Sequence, residues 1–147
     1  MDKKDFYART MHTPDDEARA RKRAALRETS QALLPLHRGM IDSAKTDYVA
    51  ATMLEVTPTQ LLQIITDDPF FAWLKPVTSL IVDIDEMARK DFEAADVAAI
   101  ADRVDKLFGG TPDAEFAAKY VPILQRDVDV AIAHAALRQA MRKLREE

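Results

Sequence analysis

Four prolines stand directly after a residue able to cap a helix: Thr13-Pro14, Thr57-Pro58, Asp68-Pro69 and Thr111-Pro112. Proline suits the first turn of a helix, where its missing N–H would have no intrahelical acceptor and its fixed φ is already helical. The Thr or Asp before it offers a side-chain oxygen to the amides that the helix start leaves unpaired. Each pair therefore marks a helix start. Thr57 with Gln60 completes a capping box, and Asp15, Asp16 and Glu17 put negative charge at the positive end of the first helix dipole.

Between these starts the apolar residues recur at helical spacing. A first helix from residue 14 to about residue 33 has only Ala18, Ala25, Leu26 and Ala32 on its apolar side. That stripe is small and poorly focused, so residues 1–30 are expected to form a peripheral basic helix or arm, and residues 31–147 the bundle itself. From Leu34 onward, Leu34, His37, Ile41, Ala44, Tyr48 and Ala51 predict a core-facing stripe, with Pro35 either in its first turn or at a kink in a longer helix. A short helix over 58–66 is expected to turn Leu61, Leu62, Ile64 and Ile65 inward. After the Asp68 cap come Phe70, Phe71, Trp73 and Leu74, and beyond Pro76 the stripe Val77, Leu80, Ile81, Ile84, Met87 predicts a central helix.

Residues 92–108 predict another amphipathic helix, stopped by Gly109-Gly110. The last helix is expected to start at Pro112, kink at Pro122 and exceed about 45 Å in length. No segment shows sustained strict alternation, so no sheet is expected. The reading is an all-α helical bundle of five to seven helices with a long C-terminal helix.

Composition narrows the chemistry. A chain of 147 residues, 48% apolar and with three glycines, has the profile of a single ordinary globular domain. It has no cysteine, which excludes disulfides, thiolate nucleophiles and Cys-ligated metals. A net charge of −4 argues against phosphate binding by the whole surface, although Arg19, Arg21, Lys22, Arg23 and Arg27 crowd one segment. Nucleic acid is therefore not expected as a partner, except through that arm; no aromatics interleave with it for base stacking, and a solvated helix face is the favoured reading of it. The mixed charge of Met1-Asp2-Lys3-Lys4-Asp5 and the absence of an apolar run near 20 residues lead to the expectation of a cytoplasmic protein without a membrane contact.

Gly-x-Ser-x-Gly, Walker-type and His-Glu-x-x-His signatures are all missing, so neither an enzyme nor a cofactor is expected. Two functional classes remain. Phe116, Tyr120, Ile123, Asp127, Val130, His134, Leu137, Met141 and Leu144 form a seam with a four–three repeat, which points to a self-associating interaction or regulatory bundle. Its binding residues would be Leu137 and Met141 together with the aromatic turn Phe70, Phe71 and Trp73. The alternative is a ligand- or metal-binding bundle built on the inward His37 and His134 with Asp83, Glu86 and Asp127. Spacing counts against a metal, because Leu34 and Ala131 occupy the positions three residues before the two histidines. Asp83 and Glu86 share a helix side, from which Asp85 turns away.

The stretch Asp68-Pro69-Phe70-Phe71-Ala72-Trp73-Leu74-Lys75-Pro76, followed by Leu80-Ile81-Val82-Asp83-Ile84-Asp85-Glu86, resembles a group of small uncharacterised bacterial helical proteins. The resemblance covers roughly residues 33–90. It implies a helical fold and a bacterial cytoplasmic setting, and it carries no activity and no functional residue with it.

Overall fold

The computed structural model describes residues 14–110 and 112–146. Six α-helices follow one another among them: α1 Pro14–Thr52, α2 Pro58–Asp67, α3 Lys75–Arg89, α4 Ala94–Phe108, α5 Ala114–Arg126 and α6 Val128–Arg145. A 3-10 helix, Pro69–Leu74, joins α2 to α3, and no strand occurs among the described residues. The fold is thus the all-α bundle that the helix signals predict.

Local chemistry explains most boundaries. The Thr57 hydroxyl accepts from the Gln60 amide while the Gln60 side chain accepts from the Thr57 amide, so the capping box opens α2. The Asp68 carboxylate accepts from Phe70 N at 2.9 Å and opens the 3-10 helix. Thr13 and Thr111, two of the expected caps, lie outside the described residues. The helix expected at Pro112 begins two residues later, because Asp113 caps it by accepting from Phe116 N at 3.0 Å.

Two departures from the sequence reading concern the longest pieces. α1 runs unbroken for 39 residues, about 58 Å, through Pro35. Pro35 lies on the solvent side, so the Gln31 carbonyl that its ring cannot serve also faces water. With the phase set by the whole length, the inward positions are Leu26, Leu33, Leu36, Met40 and Ala44, whereas Leu34 and Ala51 point outward. Of the stretch read as peripheral, residues 14–30 form the first part of this helix and residues 1–13 lie outside the described residues. The helix is exposed or half-exposed from Asp15 through Ala24 and enters the core at Ala25 and Leu26.

The expected long C-terminal helix is two helices. Asp127 ends α5 by donating its amide to Ile123 O at 3.0 Å, and its carboxylate starts α6 by accepting from Asp129 N and Val130 N. α6 is then a helix of 18 residues, and α1 is the long one.

α1 is the spine. α3 and α6 pack along it, and α4 closes the bundle by packing against both. Gly39 permits the close crossing of α1 and α6, since a Cβ there would lie 2.8 Å from Val130 Cγ2. The few polar groups inside are paired: the Arg126 guanidinium donates to Ser43 Oγ at 2.6 Å and to Asp47 at 2.7 Å, and the Ser30 hydroxyl donates to Asp85. No helix among the described residues is long and apolar enough to cross a membrane.

Candidate functional site

The most chemically distinctive spot lies where α4, α5 and α6 converge. Phe108 from the end of α4, Phe116 and Tyr120 from α5 and His134 from α6 form a ring cluster, with Trp73 of the 3-10 helix against Phe116 at 5.5 Å. Phe116 stacks on Tyr120, also at 5.5 Å, and Phe108 meets Tyr120 edge-on at 5.1 Å. At its centre a 2.7 Å hydrogen bond joins the Tyr120 hydroxyl and His134 Nδ1. Burial pushes the Tyr120 phenol well above the usual tyrosine range, so it stays protonated and can donate to Nδ1. Burial also lowers His134, aided by the neighbouring Arg138 charge, which favours the neutral ring that accepts this bond. His134 therefore has a hydrogen-bond partner within its own chain.

His37, half-buried between α1 and α3, is lowered by burial as well, and its Nε2 meets Thr78 Oγ1 at 3.0 Å. Both shifts make stability depend on pH with the same sign. An unfolded histidine titrates near 6.5, so between that value and its lower native one the unfolded chain binds more protons than the folded chain. The contribution is fully present above about pH 6.5 and is lost as pH falls toward the native values. The urea midpoint is expected to drop between pH 7.5 and pH 5.5, and His134→Gln should shrink that drop. A midpoint that rises on acidification would reverse the assignment.

The five residues considered as metal or ligand donors do not meet. Asp83 pairs with Arg103 at 2.8 Å, linking α3 to α4, and Glu86 pairs with Lys90 one turn on at 2.7 Å. The Lys90 ammonium holds the Glu86 carboxyl below the usual carboxylate range. Asp127 caps α6, His37 binds Thr78 and His134 binds Tyr120. Among the described residues no three His, Asp or Glu side chains converge on one point. The sequence placed them on common stripes, but each has found a separate partner.

The residues considered for partner binding divide in the same way. Phe71 is fully buried, with Phe70 and Tyr48 packed around it at 5.2 and 5.5 Å. Phe70 and Trp73 are half-buried and border a hollow of about 200 Å³ with Lys119 and Pro122. Leu137 and Met141 face the chain's own core, Leu137 with no exposure at all. The seam drawn from the sequence is thus an intramolecular one.

The basic segment contributes something the sequence reading did not anticipate. The Lys22 ammonium donates to Leu144 O at 2.6 Å and to Glu146 O, at the C-terminal end of α6. Arg23 donates to Ala88 O at 2.6 Å and Lys90 O at 3.0 Å, at the end of α3, with its guanidinium over the Phe92 ring. Carbonyls at helix C-termini lack intrahelical donors and carry the negative end of the dipole, so cations belong there. Arg19, Arg21 and Arg27 are exposed. What the sequence lacked was any sign that α1 passes the C-terminal ends of two other helices.

Among the described residues, large apolar side chains other than the scattered Leu34, Val82 and Val121 are left outside in two places. On α6, Val128 is 71% and Ile132 64% exposed. At the other end of α1, Met53 is 85%, Leu54 57% and Leu62 71% exposed, and α2 contains no buried residue. Compared with protein-family models, curated proteins and solved structures, the chain matches none of them.

Proposed function

We propose that the protein is a non-catalytic interaction bundle of the bacterial cytoplasm that pairs with a second copy of itself through the outward face of α6. The observation that carries this is the exposure of Val128 and Ile132 on a helix with no Asp, Glu, Lys or Arg between Asp129 and Arg138. Exposed Ala131, Ala135 and Ala136 keep that surface low, so another helix backbone could approach closely. Such a patch pairs most economically with its own copy about a two-fold axis, where each apolar residue covers its counterpart. The bacterial cytoplasmic setting rests on the resemblance of residues 33–90. The internal polar groups support a structural reading, since their hydrogen bonds are spent inside the chain.

Sedimentation velocity at micromolar concentrations tests it. The wild type is expected to run at twice the chain mass, and Val128→Glu with Ile132→Glu to halve that mass at unchanged helicity. A wild type that stays monomeric over the whole range ends the self-association reading.

A further inference from the structure

The lobe formed by the linker after α1 and by α2 leaves a second apolar surface open. α2 has Leu61, Leu62, Ile64 and Ile65 within one ten-residue helix, an amphipathic pattern, yet the bundle covers none of them completely. Ten residues are too few for a helix to be stable in water by itself, and a helix of that length normally depends on a fully packed apolar face. Here the 3-10 helix packs on one side, while Leu62 of the helix and Met53 and Leu54 of the linker remain outside. Met53 adopts a left-handed backbone, φ 60°, which ends α1 and turns the linker across the end of the bundle. A hollow of about 600 Å³ lies between linker and helix, lined by Leu54, Val56 and Ile64 among others.

The charge on this lobe has one sign. From Thr46 through Leu74 the sequence contains Asp47, Glu55, Asp67 and Asp68 and not one Lys or Arg. Asp47 is held by Arg126, and Asp68 caps the 3-10 helix. Glu55 and Asp67 are exposed and make no ion pair among the described residues. Both line the hollow, and no cation does. An apolar groove with an acidic rim selects against acidic segments by repulsion and favours an apolar face flanked by Lys or Arg.

We propose that the Met53–Asp68 lobe docks a basic amphipathic helix of a partner protein, with Leu54, Val56 and Ile64 taking its apolar face and Glu55 and Asp67 its cations. This goes beyond pairing through α6 and does not depend on it, because the two faces are separate.

The test uses the full chain and two fluorescein-labelled 18-residue helical peptides, one of leucine and lysine and its twin of leucine and glutamate, read by fluorescence anisotropy. The leucine–lysine peptide is expected to bind and the twin not to. Affinity should fall at least tenfold in Leu54→Ser with Val56→Ser, and again at least tenfold in Glu55→Lys with Asp67→Lys. Leu54, Glu55 and Asp67 are exposed and Val56 is half-exposed in the linker, so both variants should retain the wild-type helicity. No binding, equal binding of the two peptides, or binding indifferent to either pair of substitutions overturns the proposal. So does a wild-type dimer that Leu54→Ser with Val56→Ser dissociates, since the lobe's occupant is then a second copy of the chain.

Discussion

Leu137→Glu is expected to abolish cooperative folding, not merely to separate two copies of the chain. Leu137 has no exposed surface and sits on α6 where that helix packs against α1 and α4. Truncating such a leucine to alanine typically costs about 2–5 kcal/mol through lost transfer energy and the cavity left behind. Glutamate adds an unpaired charge in the same apolar space, for several kcal/mol more. A domain of ordinary stability has about 5–15 kcal/mol in total, so the sum is comparable with the whole. Far-ultraviolet circular dichroism with urea titration should show Leu137→Ala folding with a lower midpoint and Leu137→Glu losing its sigmoidal transition. A Leu137→Glu variant that unfolds like the wild type and only changes in hydrodynamic size would mean that this face of α6 meets another molecule.

That result would also separate two uses of one repeat. The four–three spacing from Phe116 to Leu144 is real as a burial pattern: Phe116, Tyr120, Ile123, Val130, Leu137, Met141 and Leu144 are all buried. Spacing alone says that a helix has an apolar side and not which molecule covers it. The polar interruptions carried the missing information. Asp127 followed by Val128 and Asp129 has the chemistry of a helix start, a capping carboxylate with a further acid in the first turn, so the repeat is two helices that fold back on the bundle.

Where the apolar stripes were sharply focused, the sequence was sufficient. α3 and α4 bury Val77, Leu80, Ile81 and Ile84, and Val97, Ile100, Ala101, Val104 and Phe108, on the faces their spacing predicts. It failed on α1 because Pro35 made it natural to begin the phase afresh at Leu34, when the register descends from Leu26 across the proline. The outward faces were invisible for a different reason. Leu62 and Ile132 belong to apolar patterns that would normally be buried, and only the placement of neighbouring helices decides that they are not. The roles of Lys22 and Arg23 were equally out of reach, because their acceptors are backbone carbonyls more than 60 residues away.

His134 and Tyr120 provide the second large effect, and an asymmetry that distinguishes a packed structural pair from two independent residues. Tyr120 is 3% exposed, while the His134 ring is half-exposed. His134→Leu removes the acceptor next to a phenol that water reaches poorly, and a buried hydroxyl left unpaired costs about 1–3 kcal/mol. Tyr120→Phe leaves only Nδ1 without its partner, on a ring that water can approach, so its cost should be below about 1 kcal/mol. In the double variant neither polar group remains to be satisfied, and an apolar pair of similar shape replaces the hydrogen bond within the aromatic cluster. Its loss should be smaller than that of His134→Leu alone, a coupling of about 1 kcal/mol or more in a double-mutant cycle. The double variant should also lose the part of the acid destabilisation that His134 contributes, since the group whose native pKa is lowered by burial is gone. Urea midpoints for the four proteins at pH 7.5 and 5.5 measure both quantities. Strict additivity of the two substitutions, with the pH dependence untouched, would show that the 2.7 Å bond between them does not hold α5 to α6.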